Sequence, residues 1–181
     1  DTHIGHDFLE DSDERYDFYH TREEKIPFDI EYLNKITQGG VTRKSLNILM
    51  AGTGVGKTIG MCHMAASNLT IGKNVLYVTM EMAEERIAER IDANLLDIEL
   101  NRLKDLTKVM YDRKMDQLKQ KVKGKIIIKE FPTSQAHTGH FRHLLNELSL
   151  KKDFKPDIIY VDYLNICASQ RLVGSQSVNS Y

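Results

Sequence analysis

Ala51-Gly52-Thr53-Gly54-Val55-Gly56-Lys57-Thr58 is the stretch that decides the fold of this 181-residue chain. An apolar segment, Leu46-Asn47-Ile48-Leu49-Met50, leads into it, and a helical pattern with Ile59, Cys62, Ala66 and Leu69 on one face follows. Strand, glycine-rich turn and helix in that order are the context of a phosphate-binding loop. Gly52, Gly54 and Gly56 let the backbone wrap an anion without Cβ clashes. The loop amides and the positive end of the next helix then face the β-phosphate. Residues Ala51 to Thr58 are therefore the nucleotide-binding candidates. Lys57 reaches for the β- and γ-phosphates, and Thr58 offers its hydroxyl to Mg²⁺. Ala51 stands where glycine is the commoner first letter, but it is small enough to fit. The chain is expected to bind ATP or another nucleoside triphosphate together with Mg²⁺.

Outward from the loop, the chain is long enough for one well-packed domain and too short for two large ones. Its 41% hydrophobic and 28% charged residues match an ordinary globular protein. No apolar run approaches the roughly 20 residues of a membrane span, and no signal-peptide layout is present. A cytoplasmic location is expected, with no membrane partner. Cys62 and Cys167 each sit inside an apolar pattern, as buried free thiols do in a reducing compartment. The formal charge of −1 is unevenly spread. Residues 1–25 hold nine acids against three bases, so a net −6 precedes a body of +5. A mildly basic body is compatible with a polyanionic partner without proving one.

Residues 1–25 read as an acidic linker helix region, with Phe8, Leu9, Tyr16 and Tyr19 near one side. Such a helix is too short to be stable alone and needs a surface to dock on; a frayed terminus is the alternative. Pro27 breaks the pattern, and Asp29 is placed to cap a short helix carrying Ile30, Leu33 and Ile36. Gly39-Gly40 ends that helix and is expected to turn the chain into the first core strand. Residues 26–181 then read as one ATPase region. Asn74 to Met80 is a buried strand, followed by a helix with Ile87, Ile91 and Leu95 on its inner side. Residues 101–123 form a helical region with Leu103, Leu106, Met110, Leu118 and Val122 inward, ended by Gly124. Ile126 to Ile128 gives a third strand, Phe141 to Leu150 a helix and Ile158 to Val161 a fourth strand. Continuous apolar strands alternating with amphipathic helices indicate an α/β fold, a parallel sheet flanked by helices on both faces.

The fourth strand ends in Asp162. An acid at the carboxyl end of a parallel strand lies beside the phosphate loop and can hold Mg²⁺ directly or through water. With Thr58 it makes up the metal-binding pair. Tyr163 follows where many such ATPases have the acid that polarises the attacking water, so the base must come from elsewhere. Glu81, at the end of the second strand on the same sheet edge, is the candidate. The alternative is that Glu81 only complements the dipole of its helix. Lys57 and Glu81 are the candidate catalytic residues.

Three strings carry a family resemblance: Leu33 to Gly40, Glu81 to Arg90, and Val161-Asp162-Tyr163-Leu164-Asn165. They resemble the DnaB family of hexameric replicative helicases, and within it those of T-even-type bacteriophages. The similarity runs from about Gly5 to the last residue. It implies a RecA-like P-loop core, assembly into homo-hexameric rings, and 5′→3′ translocation on single-stranded DNA, with a primase and a helicase loader as partners. Lys57, Thr58, Glu81 and Asp162 fall on the family's nucleotide site, and Arg90 falls on an arginine position without a firm role. The residues before Pro27 correspond to the linker helix that docks on a neighbouring subunit. A core of this type continues well past the 19 residues that follow Asp162 here. The expectation is therefore a core truncated at its C-terminus, a fragment that binds nucleotide modestly and does not unwind DNA.

Competing readings share parts of this pattern. A RecA-type recombinase has the same fold and base position but forms an open filament. A P-loop small-molecule kinase would need a mobile arginine-bearing lid and an acceptor pocket; 97–123 could be mistaken for a lid, but its inward Leu/Met pattern points to packing. A non-hydrolysing assembly module would not need Lys57, Glu81 and Asp162 together. His137, His140 and His143 lack the further ligands of a tetrahedral metal site and are expected on the surface. Lys114, Lys119, Lys121, Lys123 and Lys125 read as a solvated helix face as readily as a phosphate-contacting one. Gly174 to Ser180 is expected to be mobile.

Overall fold

The computed structural model describes residues 5–21, 23–133 and 135–167. The chain divides into two compact units with the boundary between Asn47 and Ile48.

The first unit contains α1 (Ser12–His20) and α2 (Glu31–Ile36). An antiparallel bridge joins Ile26 and Val41, each amide donating to the other's carbonyl at 2.9 Å. Ile26 is the buried apolar residue here, whereas Phe8, Leu9, Tyr16, Phe18 and Tyr19 are all exposed. Asp29 does not cap α2. It takes a left-handed backbone (φ 58), Ile30 flanks the helix start, and Asn34 Oδ1 instead accepts the Phe28 amide at 2.9 Å. Gly39 does end the helix, donating its amide to Asn34 O at 2.7 Å.

The second unit holds α3 (Lys57–Thr70), β1 (Val75–Thr79), α4 (Glu84–Leu95), α5 (Lys108–Lys121), β2 (Ile126–Glu130), α6 (Thr138–Lys152) and β3 (Ile158–Asp162). Short 3₁₀ turns occupy Leu100–Asp105 and Leu164–Ile166. The three strands form one parallel sheet in the order β2-β1-β3, with Thr79 opposite both Glu130 and Asp162. β1 is central, and all five of its residues are buried, which explains its unbroken apolar character. On one face Leu76 and Val78 pack with Leu148 of α6 and with Phe154, and Ile127, Phe131, Phe141, Leu144 and Leu145 surround them. On the other face Tyr77 stacks on Tyr160 at 6.0 Å between ring centres, and Asn68 of α3 donates to the Tyr160 hydroxyl at 2.6 Å. α4 packs on α3 through a stripe that includes buried Ile87 and Ile91.

The expected first core strand is not one. Leu46, Ile48, Leu49 and Met50 are exposed, and residues 46–50 have no ladder partner among the described residues. An apolar run suits burial, but a strand also needs a neighbour to satisfy its amides and carbonyls. The 101–123 region also departs from expectation. It breaks at Leu106, and Thr107 restarts it by accepting the Met110 amide at 3.3 Å. Beyond the restart Leu118 and Val122 are partly buried as expected, Tyr111 and Met115 lean inward with them, and Met110 in the first turn is half exposed.

At the end of the sheet where the strands begin, Asn74 ties three segments together. Its Oδ1 accepts the Lys125 amide at 3.2 Å, its Nδ2 donates to Lys155 O at 3.3 Å, and its amide donates to Asp157 Oδ2 at 2.8 Å. Gly124 approaches so closely that a Cβ there would lie 2.2 Å from Lys73 O. His137 and His140 cap α6: His137 Nδ1 accepts the Gly139 amide at 3.0 Å, and His140 Nδ1 accepts the His137 amide at 3.3 Å. Lys114 donates to Leu96 O and Lys119 pairs with Asp116, both at 3.3 Å. Gly174 to Ser180 lies outside the described residues. Among those described, no helix is long and apolar enough to cross a membrane.

Candidate active site

The carboxyl ends of β1 and β3 and the start of α3 meet at one edge of the sheet. α3 opens at Lys57 directly after Gly56, whose φ of 102 is left-handed, and Gly54 has φ 76. A Cβ at either glycine would touch nothing within 4 Å. The backbone conformation, not crowding, is what demands glycine there. No side chain caps α3, so its first amides remain available to an anion. Residues 51–55 are exposed, while Lys57 and Thr58 in the first turn are half-buried.

Lys57 points into this edge. Its Nζ lies 3.2 Å from Asp162 Oδ1 and 3.8 Å from the centre of the Tyr163 ring, a cation–π contact. Asp162 is almost wholly buried. Its two oxygens differ: Oδ2 accepts the Tyr77 hydroxyl at 3.1 Å, whereas Oδ1 receives no aligned hydrogen bond. The Lys57 ammonium is near Oδ1 in distance but not oriented to donate to it. A buried carboxylate oxygen without a donor is the hard-oxygen donor chemistry that suits Mg²⁺, and Thr58 stands in the first turn of α3, next to Lys57. Burial, then the neighbouring Cys62 and Asp162, push the Tyr77 phenol far above its ordinary range, so it stays a proton donor. Burial also raises the Cys62 thiol, which donates to Tyr77 Oη at 3.9 Å.

Glu81 sits exposed in the bend between β1 and α4. Four contacts hold that bend. Thr79 Oγ1 donates to Met82 O at 2.9 Å and accepts the Met82 amide at 3.1 Å. Thr133 Oγ1 donates to Met80 O at 2.8 Å, and the Met80 amide donates to Asp162 O at 2.9 Å. Arg90 Nη1 lies 3.0 Å from Met82 Sδ, at the far side of the same bend. The structure thus brings Lys57 and Asp162 into contact and sets Glu81 on the same edge, without a hydrogen bond or ion pair to either.

Three further residues of the site receive no role from the sequence. Tyr77 has a signal in hindsight, because a tyrosine in a continuously buried strand must find a partner for its hydroxyl. Thr79, the last residue of that strand, is the kind that closes a turn through its side chain. Tyr163 shows itself only once β3 and α3 are side by side.

Each unit also holds a cluster of titratable side chains. Among the described residues one group has metal-ligand composition, His6, Asp11 and Glu14, and it is exposed. Arg15 approaches His6 Nε2 at 3.1 Å. The acceptor must then be Nε2, which puts the ring proton on Nδ1 facing Asp11 and Glu14 at 3.5 and 3.8 Å. A shallow hollow of about 380 Å³ between α4 and α5 is lined by Glu85, Glu89, Asp92 and Tyr111 and shares no residue with the phosphate loop. Burial raises the Asp92 carboxyl there against a hydrogen bond from Tyr111 Oη at 3.3 Å.

Comparison with known proteins agrees with this architecture. Residues 26–179 match the family described as the DnaB-like helicase C terminal domain. The whole chain aligns over 184 residues, at 48% identity, with the DnaB-like replicative helicase of Enterobacteria phage T4. It spans 38% of that relative's length.

Proposed function

The chain belongs to the DnaB-like helicase family, and on that premise we propose that it carries the nucleotide-hydrolysing part of a ring-shaped replicative helicase. In this reading the ring is a homo-hexamer that moves 5′→3′ along single-stranded DNA in the cytoplasm, with a primase and a loader as further partners. The observation that supports it best is the meeting of Lys57 and Asp162 at 3.2 Å, beside the uncapped start of α3.

Each residue has a task. The amides of residues 52–58 and the start of α3 hold the phosphates, and Lys57 leaves Asp162 to meet the β- and γ-oxygens. Thr58 and Asp162 hold the cation. When bound, Mg²⁺ offsets the negative charge that builds up on the phosphate oxygens. Glu81, free of any partner among the described residues, orients a water and takes its proton. A neighbouring subunit supplies the cationic group that completes charge stabilisation in this class of site.

The test is ATP hydrolysis by the full-length protein, with and without single-stranded DNA. Strong stimulation by DNA is the expected result. A rate indifferent to DNA would overturn the motor and direct attention to a phosphate acceptor.

A further inference from the structure

Tyr77 belongs to neither motif of the site, yet it touches the acid at its centre. It is the third residue of β1 and pairs in register with Tyr160, two residues before Asp162 on the neighbouring strand. Residues two apart on a strand share a face, so Asp162 lies on the same side of the sheet as Tyr160 and Tyr77. The hydroxyl spans the gap, donating to Asp162 Oδ2 at 3.1 Å.

Nothing around Tyr77 leaves it free to turn. The ring is fully buried and stacked on Tyr160, whose own hydroxyl is held by Asn68. The Cys62 thiol approaches Tyr77 Oη from the α3 side. Its hydroxyl can give its single proton to one acceptor only, and that acceptor is Asp162. With Oδ2 held, the carboxylate plane is fixed and Oδ1 faces Lys57. Without the hydroxyl, Oδ2 would be buried with no donor, and the carboxylate could rotate to find one.

Accepting the nucleotide–Mg²⁺ reading of the site, we propose that Tyr77 is the positioning residue of its acidic half: it selects which oxygen of Asp162 is presented to the cation. Tyr77→Phe keeps the ring and its packing and removes only the selector. Mg²⁺-dependent nucleotide binding should therefore weaken while Mg²⁺-free binding is spared.

The experiment titrates the protein with a fluorescent ATP analogue at graded Mg²⁺ and in excess chelator, for wild type, Tyr77→Phe, Tyr160→Phe and Asp162→Asn. For Tyr77→Phe the Mg²⁺ concentration giving half the gain in affinity should rise roughly tenfold, the scale of one hydrogen bond to a charged group. Affinity in chelator should stay within about twofold of wild type, since that hydrogen bond does not touch the phosphates. Tyr160→Phe removes a neighbouring buried hydroxyl that does not reach Asp162 and should leave the Mg²⁺ midpoint in place. A wild-type midpoint in Tyr77→Phe, with the Mg²⁺ response lost in Asp162→Asn, would overturn the role of Tyr77 and leave the site standing. Equal losses with and without Mg²⁺ in Tyr77→Phe would make it a packing residue and also overturn the proposal. A normal Mg²⁺ response in Asp162→Asn would remove the site reading and Tyr77's role together.

Discussion

Thr79 stands directly opposite Asp162 in the parallel ladder, and its hydroxyl bends the chain beyond it so that Glu81 leaves β1 on the edge that carries the acid. The base candidate is therefore located by a turn whose anchor is itself registered against the metal candidate. Thr79→Val preserves shape and removes both hydroxyl bonds. Stability should fall by about 1–2 kcal/mol, the scale of one or two buried hydrogen bonds. The hydrolysis rate should drop about tenfold with nucleotide affinity nearly unchanged, because only the geometry of attack is loosened. Urea denaturation and single-turnover kinetics check the two halves.

Lys57→Ala removes the ammonium that, in the proposed reading, meets the phosphates. Triphosphate affinity should fall by tenfold or more, as expected for losing charge-assisted contacts. Equilibrium titration with a fluorescent nucleotide measures it, and unchanged affinity would exclude Lys57 from the site.

Glu81→Gln keeps size and polarity while removing the ability to accept a proton. Binding should be nearly intact and hydrolysis slower by about a hundredfold or more. Turnover surviving the change would assign the base to another residue.

Asp92 gives the chain a pH-dependent cost. Burial raises its carboxyl above the ordinary aspartate range, so the folded state holds this proton more tightly than the unfolded one. Its contribution to stability falls as pH rises from the ordinary aspartate range through the raised value, and the cost is complete above that window. Asp92→Asn can still accept the Tyr111 hydroxyl without carrying charge. It should melt at a higher temperature than wild type near pH 7, and the gain should vanish once pH drops below the ordinary aspartate range. Thermal melts at the two pH values decide it.

Local patterns made much of this readable in the sequence. The glycine spacing before Lys57, the apolar blocks of β1, β2 and β3 and the acid closing β3 each state their structure within a few residues. The parallel sheet and the expectation of Asp162 on the same sheet edge as Lys57 followed from them. What escaped depended on distant partners or on phase. Residues 46–50 are apolar enough for a strand, but composition does not supply the neighbour that a strand requires. Reading 101–123 as a helical region put Met110 inward with Leu118 and Val122; the latter two are partly buried, whereas Met110, in the first turn after the restart at Thr107, is exposed. Asp29 had the right chemistry for a cap, yet its left-handed backbone left the neighbouring amide to Asn34. Tyr77 looked like one more apolar strand residue until β3 lay beside it.

Asn74 closes off one way for the sheet to yield. Slipping β2 or β3 by a single residue would break its bonds to Lys125 or to Lys155 and Asp157, at the end farthest from the phosphate loop. The sheet is in effect riveted at that margin, so a shift of β2 or β3 against β1 is opposed at the edge opposite the phosphate-binding candidates.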